Sequence, residues 1–562
     1  MQQEIGTIVI GSGAGGLAAA LCLARAGQKV IVLEQHYVPG GWCHSFYLNG
    51  YRFSPGVHYI GLLDKNESTS LLFEGLGIAS DLTFFRMNAA SYEHCLFDDK
   101  KFDLPAGFDN LYESLSKLFP AEKNRLKKYL DLVKKVGDEI HLIAKMKGFW
   151  DHVTIAYRMR HLGKFGFFSL KRVIDWHIKD KQLKAILNIQ CGDHGLPPSK
   201  ASFPMHCAVM SHYFSGGFYP MGGGGAIVKA MCKAITKYNG EIKTGQAVKR
   251  ILIEGEKKLK AVGVELANGE IIRAKHIVSN ADPNKTFSLA GPENLSKKLR
   301  TKLAKTKYSV ASLFLFLTVD MDVKSFGFDS GNIWKLRHAD LDKIYTEMTA
   351  DDLMSGEEFP ACFISCPTLK DPVSYNGRYH TIEVVTFIDY KSFRLFVHNG
   401  DYHSADYKKF KDRVTEKLLN SVEKLLPGVR NKIVKMEAGT PDTAEFYVNA
   451  TEGNAYGTEK NLFQLGPFGY NCRTEIENLY LCGASTMAHG VGGAAASGVY
   501  VAAKILNCHV DDLIKPDETQ QLHIYDSEDP SQWPPSIQQK IEMKKRRFKD
   551  THVPDALKNE VL

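Results

Sequence analysis

The sequence predicts an α/β protein of two domains, one of them a Rossmann-like nucleotide domain that the chain leaves and later re-enters. Three observations carry this expectation. A strand–glycine–helix–strand unit occupies Ile5 to Glu34, and a second strand–glycine–helix unit runs from Asn478 to Leu506, near the far end of the chain. Between them lie short alternating strands, then longer apolar strands of a different kind, interrupted by a basic helical region.

In the first unit, β-prone Thr7 to Ile10 leads into Gly11-Ser-Gly13-Ala14-Gly15-Gly16, an Ala/Leu-rich helix, and a second strand from Lys29 to Leu33. The G-x-G-x-x-G spacing has a physical reading: Gly11 permits the tight turn, Gly13 lets backbone approach a pyrophosphate, and Gly16 lets helix pack on strand. The free N–H groups and positive dipole end of the helix then hold the phosphates. Glu34 follows where a carboxylate can accept the ribose hydroxyls of an adenosine. The doublet Gly40-Gly41 fits a loop running under the extended nucleotide, where side chains would collide. Tyr47 to Phe53 alternates around Asn49-Gly50 and predicts a hairpin. In Gly56-Val-His58-Tyr59-Ile-Gly61 an imidazole and a phenol stand between glycines.

From about Asp109 to Ser202 the chain reads as helical and basic. Within it, Lys145 to Lys184 interleaves Phe149, Trp150, Tyr157, Phe165, Phe167, Phe168 and Trp176 with ten Lys/Arg against three Asp. That composition suits either a solvated helical subdomain or a surface that dips aromatics into lipid and sets cations among headgroups. Gly222 to Gly225 opens a closely packing helix. Ala247–Ile253, Lys260–Glu265, Glu270–Arg273 and His276–Ser279 read as a β-meander closed by Asn280-Ala-Asp282-Pro283. Residues 308–320 and 379–390 read as strands of another sheet, followed by an amphipathic helix from Tyr407 to Leu426. In the C-terminal unit Gly483 ends a strand, and Gly490-Val491-Gly492-Gly493 opens an Ala-rich helix. Beyond Asn507 comes a polar tail ending in the basic run Lys544 to Lys549. The expected division is a nucleotide domain of 1–90, 215–290 and 455–510, a second domain of 91–214 and 291–454, and a tail of 511–562.

The 562 residues, 44% hydrophobic and 24% charged, describe a globular protein and exclude bulk disorder. A net charge of +8 is too mild to imply a nucleic-acid partner. Eleven cysteines contain no C-x2-C pair, which predicts free thiols in a reducing compartment and no metal site. The strand begins within a few residues of Met1, leaving no room for a signal peptide, and no apolar run reaches spanning length.

Taken together, the N-terminal unit, Tyr219 to Gly223, the EGNAYGTE stretch at Glu452 to Glu459 and the NLYLCGAS unit resemble, in that order, the carotenoid desaturase, carotenoid isomerase and retinol saturase group. The resemblance is greatest to the retinol saturases, through LEQH at Leu33 to His36, GGWCHSF at Gly40 to Phe46, and GVHYIG. It implies a two-domain flavoprotein of the glutathione-reductase/amine-oxidase-like type with FAD as cofactor and a mixed-sheet and helical substrate domain. A hydrophobic polyene isoprenoid substrate and a cytoplasmic, peripherally membrane-associated setting are also implied. Carried over residue by residue, Gly11, Gly13, Ala14, Gly15, Gly16 and Glu34 hold the ADP half, with Gly40 and Gly41 beneath and Val248 facing adenine. Gly483, Gly490, Val491, Gly492 and Gly493 reach the ribityl chain and the pyrimidine edge of the flavin. No second G-x-G-x-x-G is present, so a separate electron donor or acceptor is expected. His58 and Tyr59 are the leading acid candidates, with Tyr456 and His489 behind them. Saturation, desaturation and cis–trans isomerisation remain open for one such site, as does a prenyl-binding escort without redox activity.

Overall fold

The computed structural model describes residues 5–144, 154–155, 157–348, 353–397, 401–515, 517 and 519–550. Its first sheet is built from three distant parts of the chain. Along it lie Val248–Glu254, Lys260–Leu266, Ile271–Ser279, Ile5–Ile10, Val30–Leu33 and Glu241–Lys243, with Leu479–Leu481 also pairing with Ile271–Ser279. Glu270–Arg273 and His276–Ser279, expected as two strands, form one. Its first part pairs antiparallel with Lys260–Leu266, and from Ala274 onward it pairs parallel with Ile5–Ile10. Exposure alternates in the first part and vanishes in the second, as expected where a strand passes from a half-solvated ribbon into a sheet covered on both faces.

Helix Ala14–Arg25 is buried from Ala14 to Ala24. Small residues permit this, because helix Gly490–Leu506 lies directly against it: a Cβ on Gly498 would collide with the Gly15 carbonyl. The second strand–glycine–helix unit thus packs onto the first, and both glycine loops open at the same edge of the sheet.

The second sheet runs Ile433–Gly439, Ala311–Val319, His380–Ile388, Ala361–Ser365, Asn332–Leu336, Glu93–Phe97 and Lys100–Leu104. Ala311–Val319 and His380–Ile388 pair antiparallel over nine positions and are buried throughout. Alternation assigns their two faces. Leu313, Leu315, Leu317, Ile382 and Val384 pack with Phe410, Val414 and Leu418 of helix Ala405–Glu423. Phe314, Phe316, Val385 and Phe387 face the core shared with the helical region, where Lys123–Ala144 lies against Phe203–His212.

Residues 145–153 and 156, with Phe149 and Trp150 among them, lie outside the described residues. Of the other aromatics in that stretch, Phe165 is buried beside Phe203 and Phe168 is half-buried under Arg172. Tyr157, Phe167 and Trp176 are 74%, 70% and 53% exposed. The segment after residue 510, expected as a tail, contributes a strand, His523–Asp526, which pairs parallel with Thr83–Arg86. Helix Pro535–Asp550 then docks Ile537 and Ile541 beside Phe85, leaving Lys544, Arg546 and Arg547 exposed. All eleven cysteines are free, and no helix among the described residues is long and apolar enough to cross a membrane.

Candidate active site

One cavity is lined at once by both glycine loops and by the inner face of the second sheet. At the loop end, Gly11 has φ +89° and turns strand Ile5–Ile10 into its helix. Gly13 precedes the helix, and no side chain caps it, so the first-turn N–H groups are available to an anion. The Gly16 N–H is taken: it donates to Asn280 Oδ1 at 3.0 Å. Asn280 packs among the glycines of both loops. A Cβ would stand 2.5 Å from its Nδ2 if added to Gly13, and 2.7 Å from its Oδ1 if added to Gly15 or to Gly483. A Cβ on Gly16 would meet the Gly11 carbonyl, so Gly16 serves packing and does not line the cavity.

Buried Glu34 accepts from Ser12 N–H at 2.9 Å and Ser12 Oγ–H at 2.6 Å through Oε2, and from His36 N–H at 2.9 Å through Oε1. A carboxylate has about four acceptor positions, so roughly one remains for a ligand hydroxyl at the cavity wall. The Gly40 N–H donates to Ser12 Oγ at 2.9 Å, and a Cβ on Gly41 would lie 3.3 Å from the Gly13 Cα. With φ values of +127° and +52°, the doublet therefore folds directly onto the first loop. Val248 lines the cavity, as do Gly483, Gly490 and Val491. Gly483 takes φ +92° and its N–H donates to Ser497 Oγ at 2.7 Å, while helix Gly490–Leu506 begins without a side-chain cap. Gly492 and Gly493 stand off the cavity, and a Cβ on Gly493 would be 2.7 Å from Ala488 Cβ, a local packing need.

At the other end the lining includes His58, Tyr59, Asp193, Trp334, Phe363, Val385, Phe387, Tyr456 and His489. His58 Nδ1 lies 2.9 Å from Oε2 of buried Glu383, whose Oε1 accepts the Ser54 N–H at 2.7 Å. Lys370 Nζ, fully buried, donates to the His58 carbonyl at 2.8 Å and to Ser365 Oγ at 2.7 Å; burial pushes its amine down to about 7. Tyr59 stacks on Tyr213 with ring centres 4.2 Å apart and reaches the carboxyls of Glu93 and Asp193. Burial drives its phenol far above its usual range. Tyr456 and His489 meet at 5.1 Å, and burial lowers the His489 imidazole to about 3, so it is neutral.

Of the residues singled out in the sequence, Gly11, Gly13, Ala14, Gly15, Glu34, Gly40, Gly41, Val248, His58, Tyr59, Tyr456, Gly483, His489, Gly490 and Val491 line this cavity, and Gly16, Gly492 and Gly493 do not. Sequence reasoning missed Ser12 as a partner of Glu34 although Ser12 stands inside the fingerprint, and it quoted Asn280 only as the end of the meander. Glu93, Asp193, Lys370 and Glu383 had no local signal at all.

The sequence profile of the flavin containing amine oxidoreductase family matches residues 14–506. The chain is similar to the all-trans-retinol 13,14-reductase of Danio rerio, 28% identical over 534 residues that cover 90% of this chain and 86% of the relative. It is also similar to the chloroplastic prolycopene isomerase of Daucus carota, 28% identical over 529 residues that cover 90% of this chain and 80% of the relative. Among solved structures, cyclohexylamine oxidase from Brevibacterium oxydans superposes with a TM-score of 0.59 at 16% identity over 90% of this chain and 99% of that one. That last likeness is one of fold.

Proposed function

The chain belongs to the flavin containing amine oxidoreductase family, with FAD as its cofactor, and from that premise we propose that it saturates a carbon–carbon double bond of a polyene isoprenoid. The observation that carries the proposal is the shared cavity: glycines that exclude side chains from a nucleotide-sized path at one end, aromatic and branched apolar walls at the other. The named activities of the retinol reductase and the prolycopene isomerase supply the substrate class.

Under this proposal Gly11, Gly13, Ala14 and Gly15 receive the pyrophosphate, Glu34 the adenosine ribose, Val248 the adenine, and Gly483, Gly490 and Val491 the flavin end. When bound, FAD supplies two-electron hydride chemistry at its ring system. The protein's part is to bind, to exclude water, and to place a proton. Trp42, Phe314, Trp334, Phe363 and Val385 offer an apolar wall to a polyene. Tyr59 sits at that wall with its hydroxyl in a carboxyl network, and His58 is held by Glu383. Desaturation or isomerisation would use the same walls. The prenyl-binding escort is not favoured, since the glycine cradle and Glu34 are intact.

We place the enzyme at a membrane surface for an energetic reason. Carrying a twenty-carbon polyene through water would cost on the order of 16 kcal/mol at about 0.8 kcal/mol per methylene-sized unit. We assign docking to exposed Tyr157, Phe167 and Trp176, with Arg160 over Tyr157 and Arg172 over Trp176. Solvent extraction of the purified protein tests the substrate class: a conjugated isoprenoid in the extract supports it, and extracts holding only phospholipid or nothing after expression in a polyene-producing host contradict it.

A further inference from the structure

Tyr59 Oη lies 2.5 Å from Glu93 Oε1 and 2.7 Å from Asp193 Oδ2. A phenol carries one hydrogen and can donate it once. The second short contact therefore needs a hydrogen on a carboxyl, because two bare oxygens at that distance repel. The remaining partners decide which carboxyl holds it. Glu93 Oε1 also accepts Trp334 Nε1–H at 3.1 Å, and Gln190 Nε2 lies 3.5 Å from Glu93 Oε2. Donors of this kind favour the carboxylate. Among the described residues the Asp193 side chain has only Tyr59. Tyr59 and Asp193 line the cavity, and Glu93 stands behind them. The same wall carries His489, whose buried Nδ1 has no hydrogen-bond partner among the described residues.

We propose that Asp193 is the neutral acid of this site, hydrogen-bonded to Tyr59 in front of an ionised Glu93, and that it donates the proton to the bound polyene. This rests on the saturation reading above and deepens it. The step balances as follows: the Asp193 O–H turns from Tyr59 Oη toward the cavity and breaks as the π pair of the double bond takes its proton to form one C–H bond, the O–H electron pair staying on the carboxylate, and the adjacent carbon takes hydride from FAD reduced by the separate donor. Asp193 is left as a carboxylate beside Glu93, with a phenol that can serve only one of them, so it regains a proton from solvent before the next turnover.

The surroundings agree. Burial and the neighbouring Glu93 charge drive Asp193 well above the usual carboxyl range, and burial lifts Glu93 to about 7. Tyr92, Tyr213 and Tyr456 face the pair as neutral phenols, and Lys370, whose own amine sits near 7, faces Glu93.

The test is infrared titration of the substrate-free holoenzyme alongside turnover. Above pH 7, where Glu93 is ionised, the wild type should still show a neutral-carboxyl C=O stretch that is lost in Asp193→Asn and kept in Glu93→Gln. Asp193→Asn should keep its flavin absorbance and lose on the order of a hundredfold or more in saturation rate. Asp193→Glu should restore part of that rate, with a shifted alkaline limb in the pH profile. Absence of the band in wild type, its persistence in Asp193→Asn, or full turnover by Asp193→Asn overturns the proposal. A wild type showing the band but releasing no saturated product contradicts the saturation reading instead, because the band is recorded without substrate.

Discussion

Gly13 shows how tightly single residues define the nucleotide end. Any side chain there would enter the space of Asn280 and of whatever lies against the helix N-terminus. Gly13→Val should therefore purify folded by circular dichroism but without the visible absorbance of bound flavin, and full flavin occupancy in that variant would contradict the cradle. Gly11, Gly13, Gly15, Gly40, Gly41, Gly483 and Gly490, with Glu34 and Val248, were legible as residues of this cavity because each stands within a few residues of its own loop or was named through the resemblance. Asp193, Glu93, Lys370 and Glu383 were not. A buried polar side chain leaves no periodicity in sequence, and their meaning comes from chain segments more than a hundred residues apart, as with Tyr59 and Asp193 or His58 and Glu383. Phe165 illustrates the reverse error. Interleaved with cations it reads as part of a membrane face, yet helix Arg160–Phe165 turns it onto Phe203, while Tyr157, Phe167 and Trp176 of the same stretch are exposed.

At the scale of elements, the meeting of helices Ala14–Arg25 and Gly490–Leu506 decides whether two remote units can serve one cofactor. Their contact works because Gly15 and Gly498 bring backbone against backbone. Gly498→Val should overpack it, lowering stability by about 1–3 kcal/mol and weakening FAD retention together. A variant with unchanged melting temperature and flavin content would show that the contact is incidental. Both units were visible in the sequence, since glycine punctuates strand and helix clearly. The continuity of Ile271–Ser279 was hidden, because a strand that changes partners midway also changes its burial pattern midway.

For the whole molecule, the proposal that substrate is loaded from lipid links traffic to chemistry and requires the enzyme to rest on a bilayer. Flotation with anionic liposomes should recover the wild type, less of it at high salt, since exposed cations are screened there. Changing Tyr157, Phe167 and Trp176 to Ser should weaken flotation at every salt concentration. A triple variant that floats and turns over like wild type would remove that surface from the account. The central claim, that reduced FAD in this cavity saturates a polyene, is tested most directly by mass spectrometry of the product. The holoenzyme would be reduced anaerobically and mixed with a retinoid or carotenoid in liposomes. The account predicts a product heavier than the substrate by two hydrogens; a product lighter by two hydrogens, or an isomer of unchanged mass, would contradict it.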